Sequence, residues 1–146
     1  MLPSMPASAP HSEQSAWTLC LVVAVGGAIG AISRFGVERG LAAAVADPFL
    51  AASLSLGAAN VLGAGGLGGL IGRLDRHGGP DWLRPFLGVG LFGAFTTFSG
   101  FVAHQRALHL EVGTGATAIF CASSYFAGTM LFQALRSAAL SQEADS

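Results

Sequence analysis

No lysine occurs anywhere in this chain, and charge of either sign is scarce: 10% of its 146 residues are charged, against about 25% in soluble proteins. So little charge leaves too few polar groups for a water-facing surface, which argues against an ordinary soluble domain. Cysteine is nearly absent as well. Cys20 and Cys121 both fall inside apolar runs, and with no C-x-x-C pair they read as small hydrophobes rather than a disulfide. The four histidines suggest no metal centre. His11 and His77 lie in polar segments; His104 and His109 are five apart, which misses the i,i+4 spacing of two ligands on one helical face, and read as solvated interfacial residues. No acidic residue occurs in any long apolar run. Proton- or cation-coupled transport relies on embedded carboxylates, so that class is disfavoured.

What is present is hydrophobic length. The mean hydropathy is +0.60. Asp, Glu, Lys and Arg are missing from residues 17–33, 48–72, 85–105 and 112–135. Runs of this kind meet the requirement of roughly 20 apolar residues for crossing a hydrocarbon core about 30 Å thick. The expected fold is therefore an all-α membrane protein of four transmembrane helices, not an apolar soluble bundle. Residues 1–16 are Pro- and Ser-rich without periodicity and read as a disordered tail; residues 17–136 form the membrane domain, and 137–146 a polar tail. The first run is too long for a signal-peptide core and follows no basic segment, so it reads as a retained helix. Gly78-Gly79-Pro80 marks the turn between the second and third spans.

With four spans, one side of the membrane carries Arg73, Arg76, Arg84 and Arg136, and the other Arg34, Arg39 and Arg106. Arginine asymmetry normally fixes orientation, and four against three is almost none. A chain without bias can insert both ways up, which permits an antiparallel homodimer with a two-fold axis in the membrane plane. The alternative is a single orientation set by Arg73 and Arg76.

Glycine is abundant, at 21 residues. Gly26 with Gly30, Gly36 with Gly40, Gly65 with Gly69 and Gly68 with Gly72 have the small-xxx-small spacing that lets membrane helices approach closely. Gly63, Gly65 and Gly68 also match G-x-G-x-x-G, but no strand precedes them and no acidic residue follows in the place a dinucleotide site needs.

The polar residues left inside the spans are Asn60, Thr96, Thr97, Ser99 and Ser124, with Arg34 near one end. Donors and a cation without a carboxylate suit an anion; equally, such groups commonly glue helices together. The stretch GVGLFGAFTTFSGF, residues 88–101, tips the balance. Gly93-Ala94-Phe95-Thr96-Thr97 reads as a helix break, because Gly and β-branched Thr are poor helix formers. Carbonyls freed at a break inside a membrane need a partner, and a small cation is one. Phe98 and Phe101, three apart, share a helical face and can turn electropositive ring edges to an anion.

These residues carry a resemblance. GGAIGAISRF from Gly26, NVLGAGGLGG from Asn60 and GLFGAFTTFSGF ending at Phe101 resemble the Fluc (CrcB) family of fluoride channels, over nearly all of residues 17–136. The resemblance implies a multi-pass protein of the bacterial inner membrane, a passive channel exporting fluoride, and a dual-topology antiparallel dimer with two pores. It further implies that Phe98 and Phe101 line the pores with Asn60, Thr97, Ser124 and Arg34. A structural sodium ion would be held at the dimer centre by the backbone carbonyls of Gly93 and Thr96. Fluoride, the bilayer and a second copy, or a paralogue in a heterodimer, are the partners implied; no nucleic acid and no enzymatic activity are expected. Family positions usually Gly, Thr, Thr, Tyr and Ser are Ala94, Gly100, Leu56, Phe120 and Gly128 here, which thins the polar track. Two competing readings are a four-helix dual-topology exporter, which would need an embedded Glu in the first span, and a non-conducting subunit.

Overall fold

Asp47 starts the second helix of the computed structural model, which describes residues 11–141. Its Oδ1 accepts hydrogen bonds from the Phe49 and Leu50 amides at 2.8 and 2.9 Å. Pro48, at the helix start, has no amide proton to leave unpaired. Helix α1 spans His11–Ala44 and α2 spans Pro48–His77, the latter closed by Gly78 at φ 68. The Gly-Gly-Pro turn follows. A π-helix, Arg84–Phe92, then runs into one α-helical turn, α3, Gly93–Phe95, and after a break comes α4, Phe98–Ser141. No strand occurs among the described residues. Helix α1 begins before Trp17 and α4 continues past Arg136; residues 1–10 and 142–146 of the two expected tails lie outside the described residues.

Three segments are long and apolar enough to cross a membrane: Ala16–Ala44, Pro48–His77 and Arg84–Ser141. The last has 58 residues, far more than the roughly 20 one crossing needs. Two features divide it. Thr96, at φ −78 and ψ 156, leaves the helical region. Gly113, at φ 85 and ψ 176, does so again within α4, in a conformation open essentially to glycine alone.

Neighbour pairs show which way each piece runs. Close to α2, Leu56 meets Gly100 and Ser53 meets His104, so residues 98–108 run antiparallel to it. Beyond Gly113, Ala64 meets Gly128, Gly68 meets Phe132 and Gly72 meets Arg136, so that part runs parallel to α2. The chain therefore reverses at Gly113. A Cβ on Gly68 or Gly72 would collide with the Phe132 or Arg136 carbonyl, so these glycines set the interhelical distance. Gly26 and Gly30 do the same for α1 against the π-helix, where Gly90 fits beside Val23 and Gly26. Gly36 and Gly40, by contrast, have no such neighbour within 4 Å among the described residues.

Asp75 ties one end together. Its carboxylate pairs with Arg84 at 2.9 Å and Arg136 at 3.1 Å, joining α2, the π-helix and the end of α4. The cluster is exposed, and burial is concentrated on the small residues of α2, Ala51, Ser55 and Ala59 with four glycines. Only Leu108 and Gly128 of α4 are enclosed, which leaves a broad apolar surface for lipid or another chain.

Candidate functional site

Thr97 is the hinge on which the site is built. Its Oγ1 accepts the Gly100 amide at 3.1 Å, an N-cap that restarts the helix at Phe98. Thr96, just before it, closes the preceding turn: its amide and its hydroxyl both donate to the Phe92 carbonyl, at 3.1 and 2.9 Å. Between these caps the backbone is extended, and Asn60 of α2 fills the gap. Asn60 Oδ1 accepts the Thr97 amide at 2.9 Å, and Nδ2 donates to the Thr97 carbonyl at 3.4 Å. An amide donor facing Oδ1 leaves one orientation for the side-chain amide, with the second Nδ2 proton uncommitted. Gly63, one turn further along α2, makes room for the Thr96 methyl group.

The break is narrower than residues 93–97 of the sequence suggest. Gly93–Phe95 stays helical, and only Thr96 and Thr97 depart. Its effect on the carbonyls of Gly93 and Thr96 is nonetheless specific. Their ordinary helical donors are the amides of Thr97 and Gly100, and these are diverted to Asn60 Oδ1 and Thr97 Oγ1. Both carbonyls are thereby left without their helical donors.

Asn60, Thr96, Thr97, Phe98 and Phe101 together line a cavity of about 220 Å³. Among the described residues, no carboxylate borders it. Phe101 is stacked on Phe120, with centroids 5.7 Å apart and planes 27° from parallel. Phe98 is 82% exposed in the protomer. Ser124 is half-buried one turn from Gly128, and the register of the last helix against α2 places it level with Asn60. Arg34 is not brought to this cavity; it pairs with Glu38 at 3.4 Å on α1.

His104 is half-buried and has partners that its sequence context does not reveal. Its ring lies 5.1 Å from Phe49 and 5.7 Å from Phe120, and its Nε2 is 2.7 Å from Ser53 Oγ. A polar residue in each of two apolar runs, Ser53 and His104, was the available signal. Neither residue has a helix-periodic partner in its own run, and their contact is between helices.

Comparison with known proteins places the chain in a family. Residues 21–135 match the profile of a family described as CrcB-like protein, Camphor Resistance (CrcB). A "Fluoride-specific ion channel FluC" of Novosphingobium aromaticivorans is 45% identical over 120 residues, covering 81% of this chain and 94% of the relative. A protein of the same description from Idiomarina loihiensis is 36% identical over 121 residues, covering 75% and 88%.

Proposed function

Because the chain belongs to the CrcB-like family, we propose that it is a fluoride-selective passive channel that lets cytoplasmic fluoride leave a bacterial cell. It is a multi-pass integral membrane protein and not an enzyme. The observation that carries the reading is the cavity joining Asn60, Thr97, Phe98 and Phe101. A small anion gives up strong hydration to enter a membrane, so its path must offer donors in place of water. The free Nδ2 proton of Asn60 and the Thr97 hydroxyl are such donors, and hydrogen bonds to a charged partner contribute about 1.5–3 kcal/mol each. Ring edges of Phe98 and Phe101 add positive potential without competing cations. The absence of a bordering carboxylate spares the anion a repulsion.

The reversal at Gly113 supports four membrane crossings, residues 84–112 and 114–141 making two of them. The exposure of Phe98 and the thin core of α4 support a second copy covering this face, placed antiparallel in the membrane plane. In that dimer the carbonyls of Gly93 and Thr96 from both copies would hold sodium, whose charge stabilises the two breaks against each other. Ser124, level with Asn60, extends the donor track, whereas Arg34, paired with Glu38 on α1, stays outside it.

Fluoride efflux from liposomes containing only this purified chain tests the reading. Fluoride release that chloride does not match is expected. Release of neither ion would overturn it, unless a co-purified paralogue restores flux, which would point to a heterodimer.

A further inference from the structure

Aromatic contacts continue beyond the cavity at Phe101. Phe120, stacked on Phe101, also meets His104 edge to face at 5.7 Å. His104 in turn lines a larger cavity, about 590 Å³, with Glu38, Ser55, Leu56 and Gly100 among its walls, together with Val45, Ala46 and Pro48 from the α1–α2 connection. Gly100 belongs to this wall while its amide is bonded to Thr97 of the smaller cavity. The two spaces thus lie on either side of a single helical turn.

Hydrogen bonding decides which nitrogen of His104 carries the proton. Ser53 Oγ donates to the Phe49 carbonyl at 2.9 Å, so in its 2.7 Å contact with His104 the serine oxygen accepts and Nε2 donates. Nδ1 has no hydrogen-bond partner among the described residues. In the neutral ring Nδ1 is a bare lone pair, which repels an anion. In the imidazolium it is a charged donor, which attracts one.

We propose that His104 is an anion-binding residue of the larger cavity, holding a small anion at Nδ1–H when the ring is protonated and feeding it to the Phe101 site. The proposal rests on the channel reading above, so the anion is fluoride. Other charged groups near the ring are accounted for. On α1, Glu38 lines the same cavity and is paired with Arg34. On the α2 side, Asp47 is occupied by the amides of Phe49 and Leu50. On its own helix follow Arg106, His109 and Glu111. Imidazole is the group among these whose ordinary titration falls between about pH 5 and 8. Acid conditions, in which fluoride enters cells as membrane-permeant hydrogen fluoride, would then also open the way out.

The experiment is fluoride efflux from liposomes holding the full chain, at symmetrical pH of about 5 and about 7.5, with leak from protein-free liposomes subtracted. Wild-type flux should be several-fold higher in acid. His104→Gln keeps an N–H for Ser53 and cannot be protonated, so its flux should be low and the same at both pH values. Equal wild-type flux at both pH values overturns the proposal while leaving the channel intact. Persistent pH dependence in His104→Gln also overturns it, since the charge would then lie elsewhere. A wild type that carries no fluoride at either pH overturns the channel reading itself. Thermal melting in detergent confirms that the variant is folded, and His104→Asn, carrying the same expectation, replaces it if it is not.

Discussion

Asn60 and Thr97, 37 residues apart in sequence, pair like two strands of a sheet: the side-chain amide of one matches the backbone amide and carbonyl of the other, at 2.9 and 3.4 Å. A single asparagine thus satisfies an interruption that hydrocarbon would not tolerate. Structural and ion-contacting roles meet in one side chain, and substitutions there should reveal both.

Asn60→Ala removes the acceptor for the Thr97 amide and the donor facing the cavity. Fluoride flux should fall to background. Stability should fall too, by about 1–3 kcal/mol for the unsatisfied backbone groups, read as a lower melting temperature in detergent. A variant with normal flux and melting would reduce Asn60 to packing.

Phe98 and Phe101 should separate by stability. Both Phe98→Ile and Phe101→Ile remove electropositive ring edges, so both should lose most fluoride flux. Phe101→Ile also breaks the stack on Phe120, which costs about 0.5–1.5 kcal/mol. Phe98 has no ring partner among the described residues and is mostly exposed in the protomer, so its replacement should lower melting less than Phe101→Ile does, any loss reporting on the second copy that covers this face. Normal conduction by either variant would count against an aromatic contact with the ion.

Sodium should raise the melting temperature in detergent more than a bulky organic cation does at equal ionic strength. Linkage gives the sign, because a cation held by native carbonyls binds the folded state alone. Thr96→Ser keeps the hydroxyl that donates to the Phe92 carbonyl and should retain the sodium response. No difference between the two cations would leave the diverted carbonyls of Gly93 and Thr96 without an occupant.

Gly113→Ala should be poorly tolerated although nothing crowds the position. The obstacle is the backbone: φ 85 with ψ 176 costs an L residue on the order of 1–3 kcal/mol. Reduced yield of folded protein, with the neighbouring Gly115→Ala as a harmless control, is the expected outcome.

Reporter fusions at the C-terminus should be detected on both sides of the membrane. Adding two arginines beside Arg73 and Arg76 should collapse that distribution to one side, since small biases decide orientation in a balanced chain. A wild-type signal from one side alone would exclude an antiparallel homodimer.

Much of this was legible in the residues. Charge-free runs marked the apolar segments because desolvating an ionised group is prohibitive in lipid, and two threonines beside a glycine marked the break because neither favours a helix. The glycine spacings at Gly26, Gly30, Gly68 and Gly72 mapped onto close contacts, whereas Gly36 and Gly40 did not, since spacing says nothing about which face finds a neighbour. The π-helix left no periodic signature. Its register depends on α1 lying against Gly90, a contact between distant segments. Asn60 was recognisable as a polar residue out of place, but its pairing with Thr97 depends on how α2 and α3 meet. The partners of His104 were hidden for the same reason: composition placed it at an interface with water, and Phe49, Ser53 and Phe120 converge on it from elsewhere in the chain.

The turn at Gly113 also governs where the molecule can be handled. Because the chain doubles back at one residue, there is no slack in which to place a fluorophore, an epitope or a cleavage sequence. The stretch Gly78-Gly79-Pro80-Asp81 is different. It is exposed, lies outside every helix, and lines neither cavity, which makes it the natural place for a reporter that watches this protein without touching the ion.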